Sequence, residues 1–151
     1  MLILAVDTST NVGSVALYSS ETGLIGEVTL NIKRTHSENI MVVIDDLLKL
    51  TEHTINDVDK FAVSIGPGSF TGVAVVKGLA YSTGKTIAGI NELDAIAYGA
   101  NETDCEIIPI IDARKERGYY SRYSYENGKL VRKDEYGVGE IREYLEDKKD
   151  K

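Results

Sequence analysis

Apolar and polar residues alternate over three short runs at the start of the chain, 2–7, 12–19 and 24–32, separated by stretches of Thr, Ser, Asn and Gly. A period of two marks a strand and the intervening residues are turn formers, so the pattern predicts an antiparallel meander of three strands. In the second run Val15 and Leu17 share one face while Ser14, Ala16 and Tyr18 share the other. Such a sheet has one strongly apolar side that awaits a helix. The helix follows directly. Ser37 is placed to cap it, Glu38 stands in the first turn where a carboxylate suits the macrodipole, and Ile40, Val43, Ile44, Leu47 and Leu48 recur at spacings of three and four. This stripe is expected to face the core or a partner.

A β-branched apolar run at 61–65 predicts a buried strand that leads into Gly66, Pro67 and Gly68. Residues 73–82, with Lys77 their one charge, predict a second helix; 86–90 predict a fifth strand and 93–100 a short helix. Polar residues at 101–104 interrupt the pattern, so a domain boundary is expected there, with one domain over 1–103 and another over 104–151. In the second, 106–111, 118–126 and 129–132 read as strands, Asn127-Gly128 as a hairpin turn, and 141–147 as a helix before a run of Asp and Lys. Three strands and a helix enclose little core, so this part is expected to be a partial domain, truncated or reduced.

The bulk properties narrow the function classes. A hydrophobic content of 42% suits a packed globule rather than a disordered chain. No run approaches the roughly 18–20 apolar residues of a membrane helix, and the N-terminus opens on MLILAV without a basic flank, so a soluble, untargeted protein is expected. Cys105 is the only cysteine, which excludes an internal disulfide and fits a cytoplasmic setting. No His or Lys stands beside it to lower its pKa, so an inert thiol is expected. Lys and Arg number 17 against 24 Asp and Glu, a net of -7, and an acidic chain is expected to bind RNA weakly alone. Arg114, Lys115 and Arg117 form the one short basic cluster, expected to be a solvated turn between strands.

Two loops could carry chemistry. DTST, Asp7 to Thr10, ends the first strand; Asp7, Thr8 and Ser9 could present N–H groups and hydroxyls to a phosphate, or merely satisfy their own hairpin backbone. GPGSFTG at 66–72 precedes a helix N-terminus. Gly66, Gly68 and Gly72 open conformations closed to other residues, and Ser69 and Thr71 supply hydroxyls, so the loop suits an anion cradle and a structural strand-to-helix turn equally. It is no Walker loop, since Lys77 lies a turn or more inside the helix. His36 and His53 sit at opposite ends of the first helix, roughly 25 Å apart at 1.5 Å per residue, and cannot share an ion. A two-metal nuclease would want a second carboxylate near Asp7, where Gly66 and Pro67 stand instead.

The order strand, strand, strand, helix, strand, helix, strand is that of the ribonuclease-H-like α/β fold of actin, Hsp70 and sugar kinases, a mixed sheet with flanking helices. Within it, LAVDTST at 4–10, THSENIMVVIDDLL at 35–48, GPGSFTG followed by KGLA at 77–80, and IIPIIDARKERGYYSRY at 107–123 resemble the TsaB (YeaZ) family of tRNA threonylcarbamoyladenosine biosynthesis proteins, which are homologous to glycoprotease-like TsaD. The resemblance implies a pseudo-enzyme with no catalytic residue and no metal. It would be a scaffold that binds TsaD, with the ATPase TsaE, for threonylcarbamoyl transfer onto the adenosine next to the anticodon. ATP and metal would be used by those partners, tRNA would be reached only through the complex, and a homodimer would form through the same helices. The implied interface is Ile40, Met41, Val42, Ile44 and Leu47 on the first helix with Val75 and Leu79 on the second. Met41 and Val42 fall off the apolar stripe, facing outward or widening the core face. Family members usually carry a Leu-Arg-Ile-Gly-like segment after GPGSFTG, whereas here Gly72 passes directly to VAVVKGLA. The loss of about four residues shortens the helix start by one turn, keeps its facing, and weakens an anion role for the loop. The contrasting reading is an ATP-dependent small-molecule phosphotransferase of the same fold, with DTST and GPGSFTG as phosphate loops.

Overall fold

The meander expected at the N-terminus is present and forms three strands of a five-stranded sheet. The computed structural model describes residues 1–31 and 37–149, with the side chains of Ser37 and Glu38 also left aside. Ile32, His36 and the expected cap of the first helix therefore lie outside the described residues. Two compact units are resolved, Met1–Asn91 and Glu92–Lys151.

In the first unit β1 (Leu2–Asp7), β2 (Val12–Ser19) and β3 (Gly23–Asn31) pair antiparallel, and β1 pairs parallel with β4 (Lys60–Ser64), which pairs parallel with β5 (Thr86–Ile90). The strand order is β3-β2-β1-β4-β5. The alternation decides which side is covered. Leu4, Val6, Val15, Leu17, Phe61 and Val63 all point to one face, where α1 (Ser37–Leu50) adds Ile40, Ile44, Leu47 and Leu48 and α2 (Thr71–Thr83) adds Val76 and Ala80. Burying each of the Val, Leu, Ile and Phe side chains in this layer contributes about 1.5–3 kcal/mol. On the opposite face Ala5, Ala16 and Ala62 are only half-buried and Tyr18 is exposed. A bulge at Ile25 shifts the β2–β3 register. A single 3-10 turn, Ile55–Asp57, precedes β4; it has no apolar periodicity, and its Thr54 and Asp57 capping pair is the local signal.

The second unit starts at α3 (Glu92–Gly99), twelve residues before the expected boundary at 103/104. Side-chain bonding explains the difference: Asp94 on α3 accepts hydrogen bonds from the hydroxyls of Tyr123 and Tyr136. Here β10 (Gly137–Glu140), β7 (Arg117–Tyr120) and β6 (Ile110–Asp112) form one antiparallel sheet, and β8 (Tyr123–Glu126) with β9 (Lys129–Arg132) forms a hairpin. The strand expected at 118–126 is thus two strands. It breaks at Ser121 and Arg122, where the fully buried Ser121 hydroxyl donates to the Asp134 carbonyl at 2.8 Å. The strand expected at 106–111 shrinks to β6 and one bridge, Ile107 to Tyr123. The helix α4 (Ile141–Lys148) closes the unit, with the Tyr144 ring stacked on Tyr120 at 3.8 Å.

Candidate functional site

Because β1 and β4 run parallel and adjacent, their C-terminal ends deliver DTST and GPGSFTG to the same edge of the sheet, the usual place for ligands in open α/β sheets. What the two loops do there is grip each other. Gly68, at φ +137°, lies so close to Ser9 that an added Cβ would sit 1.9 Å from the Ser9 carbonyl oxygen. The Ser69 N–H donates to that same carbonyl at 3.0 Å. The Gly72 N–H donates to Thr8 Oγ1 at 2.7 Å, and a Cβ on Gly72 would meet that oxygen at 2.8 Å. Thr8 and Ser9 are both buried in the process. Asp7 turns inward on its own loop, its Oδ1 accepting from the Ser9 N–H at 2.8 Å and from the Ser9 hydroxyl at 2.7 Å.

The N-terminus of α2 decides between an anion cradle and a structural turn on local grounds, since the first four N–H groups of a helix have no partner within it. Thr71 donates to Ser69 Oγ at 3.4 Å, Gly72 to Thr8 Oγ1, and Val73 and Ala74 to the Phe70 carbonyl at 3.1 and 3.4 Å. The Ala74 bond is the first ordinary turn of the helix, and the donors of Thr71, Gly72 and Val73 ahead of it are occupied by the chain's own acceptors. The helix begins at Thr71, and Phe70, its N-cap, contributes a carbonyl and no side-chain bond. The Ser69 and Thr71 hydroxyls lie 3.2 Å apart and bond to one another, while the Gly66 N–H reaches Ser64 Oγ at 3.3 Å. Sequence reasoning singled out every residue of this clasp except Phe70 and Ser64, whose roles come from backbone placement.

The expected interface divides. Ile40, Ile44 and Leu47 are 2–3% exposed in the core and are spent on the fold, so they are not surface residues of this chain. Met41 and Val42 are 43% and 59% exposed, which settles their facing as outward. On α2, Val75 and Leu79 are half-buried against the core cluster. Among the described residues no three His, Cys, Asp or Glu side chains converge as a metal site, and no helix is long and apolar enough to cross a membrane.

A second polar centre, unforeseen from the sequence, lies in the second unit. Asp134 accepts from Arg122 Nη2 at 3.0 Å and from the Tyr144 hydroxyl at 2.7 Å, with Lys148 Nζ at 3.6 Å, and Arg122 also bonds Glu106. The Arg122 hydrogen bond, supported by Tyr144 and by the two cations, holds the Asp134 carboxyl down at about 2. Burial, with Asp134 beside it, pushes the Tyr144 hydroxyl well above its ordinary value. Its members are scattered from 106 to 148 with no spacing that announces them.

Residues 20–146 match the family described as TsaD, tRNA N6-adenosine threonylcarbamoyltransferase. A relative from Bacillus subtilis (strain 168), the tRNA threonylcarbamoyladenosine biosynthesis protein TsaB, is 36% identical over 134 residues, covering 86% of this chain and 58% of its own length. The chain belongs to the TsaB (YeaZ) family. The solved YeaZ from Pseudomonas aeruginosa superposes with a TM-score of 0.77 at 28% identity, covering 92% of this chain and 67% of that one. Component A of the (R)-2-hydroxyglutaryl-CoA dehydratase of Acidaminococcus fermentans, at 13% identity and a TM-score of 0.57, shares the fold alone. The ribonuclease-H-like architecture of the TsaB family is therefore the architecture of this chain, which spans a little over half the length of the Bacillus relative.

Proposed function

We propose that the chain is a non-catalytic subunit in tRNA threonylcarbamoyladenosine synthesis, one that binds TsaD, together with TsaE, and supports transfer of the threonylcarbamoyl group onto the adenosine beside the anticodon. The clasp carries this reading. In a nucleotide-handling protein of this fold the two loops would offer open donors to phosphate; here each loop satisfies the other, and the N–H groups of Thr71, Gly72 and Val73 at the start of α2 are taken. The reading implies a cytoplasmic protein, with ATP and metal handled by the partner subunits. The docking surface is the outer side of α1 around Met41 and Val42, flanked by Val75 and Leu79 on α2, and in the absence of TsaD the same surface pairs two copies of the chain.

Mixing the full chain with purified TsaD at micromolar concentration with nucleotide, followed by size exclusion, is expected to give a shared peak; two separate peaks would sink the proposal. Calorimetry with Mg-ATP separates it from the phosphotransferase reading. Tight binding by the chain alone, with phosphate passed to a small molecule, would favour the latter.

A further inference from the structure

The chain builds two tight hairpins in its second unit and chooses opposite residues for them. In the β8–β9 hairpin the central pair is Asn127-Gly128, with φ +52° and +75°. These are the residues that take positive φ most readily, and they make the favoured two-residue turn. In the β6–β7 hairpin Lys115 and Glu116 occupy the equivalent places at φ +55° and +60°, closed by the Arg117 N–H donating to the Arg114 carbonyl at 3.1 Å. Arg114 is left-handed as well, at φ +66°, held by its N–H to Asp112 Oδ1 at 2.8 Å. Three consecutive side-chain-bearing residues in a conformation that favours glycine are a standing cost to the fold. Turn geometry does not require it, since Asn127-Gly128 answers the same need elsewhere in this chain.

What the strained turn presents is charge. Arg114, Lys115 and Arg117 are all exposed, and none is paired with an acid among the described residues. The acids nearby are Asp112, whose Oδ1 is engaged by the loop backbone, the exposed Glu116, and Glu140 across the sheet from Arg117. Of the unit's other cations, Arg122, Arg132, Lys133 and Lys148 are in ion pairs, while Lys129, Arg142 and Lys149 are in none among the described residues but do not share one turn. On a chain of net charge -7, an exposed tip with three unpaired cations is matched to a polyanion.

We propose that the β6–β7 hairpin tip is an RNA-backbone contact, with Arg114, Lys115 and Arg117 bound to consecutive phosphates. The proposal rests on the reading above in taking tRNA as the polyanion. It departs from the expectation that tRNA is reached only through the complex, because tRNA would touch this chain directly. Phosphate contacts fix orientation and carry no sequence information, so the tip would orient the tRNA without selecting it.

The test compares the parent chain with R114Q/K115Q/R117Q in two arms, using unmodified transcribed tRNA as the probe. With the chain alone at low salt, fluorescence anisotropy is expected to show weak binding that the variant reduces at least tenfold. E116Q, which removes the competing carboxylate, should tighten it. With the chain assembled on TsaD and TsaE, size exclusion should give the same complex for both chains. The variant complex should bind tRNA less tightly, and its slope of log K against log salt should be shallower by about two to three, given roughly 0.7–0.9 per phosphate contact. Equal binding by parent and variant in the first arm overturns the proposal. So does a variant that binds tRNA normally but no longer joins the complex, since the tip would then be a protein contact. Should the parent itself fail to join TsaD, the proposed function falls while the first arm still decides the RNA contact.

Discussion

A methyl group at position 68 would have nowhere to go. The atom it would strike is backbone, the Ser9 carbonyl, and the conformation at φ +137° is itself closed to alanine. Gly68→Ala is expected to destabilise the protein by about 3 kcal/mol or more, read as a lowered urea midpoint. Thr8→Val keeps the volume and removes only the acceptor of the buried Gly72 N–H, so about 1–2 kcal/mol is expected from the same measurement. Asp134 gives a pH test. Its folded carboxyl is depressed to about 2, below the ordinary value near 4, so the stability it contributes is in place above pH 4 and is lost as the pH falls toward 2. With a side chain about one-fifth exposed, the contribution is on the order of 1–2 kcal/mol. Asp134→Asn should lower stability at pH 7 by that amount and narrow the gap to the parent below pH 3, followed by near-ultraviolet circular dichroism of the tyrosines.

At the scale of elements, a turn is the most direct thing to change. K115N/E116G puts the pair used at 127–128 into the β6–β7 hairpin and should raise stability by about 1 kcal/mol, seen as a higher thermal midpoint. Where a segment's own residues decide its structure, the pattern sufficed: β1, β2, β5 and β9 have the expected bounds, and the Asn127-Gly128 turn stands where the dipeptide predicts it. Where neighbours decide, it did not. The four residues of β10, Gly-Val-Gly-Glu, carry no strand signal; they pair because the bare α-carbon of Gly137 admits the Tyr120 ring, which a Cβ would meet at 2.5 Å. Likewise nothing local divides β7 from β8, since the break is set by Ser121 and Arg122 reaching Asp134, more than ten residues on. The candidate site was half legible. Its residues were visible as two loops, but that they would bond to each other rather than to a ligand depends on β1 and β4 being neighbours.

For the whole molecule, the division of apolar side chains between core and surface decides what an interface test means. Substituting Ile40 or Leu47 would damage the fold and any partner surface together, because both are buried. The double change M41D/V42D alters exposed positions only, so folding stability should move by no more than about 0.5 kcal/mol while co-elution with TsaD is lost. Retained co-elution would remove α1 from the proposed surface.

The fastening of residue 8 to residue 72 also sets a timetable. Partners 64 positions apart can meet only once the intervening chain has been organised, and contacts of such long separation are among the last to repay their loop-closure entropy. Weakening it should therefore leave the refolding limb of a chevron nearly untouched and steepen the loss on the other side. In Thr8→Val most of the change should appear as faster unfolding. The lifetime of the native state, more than the speed of reaching it, would then hang on one threonine hydroxyl.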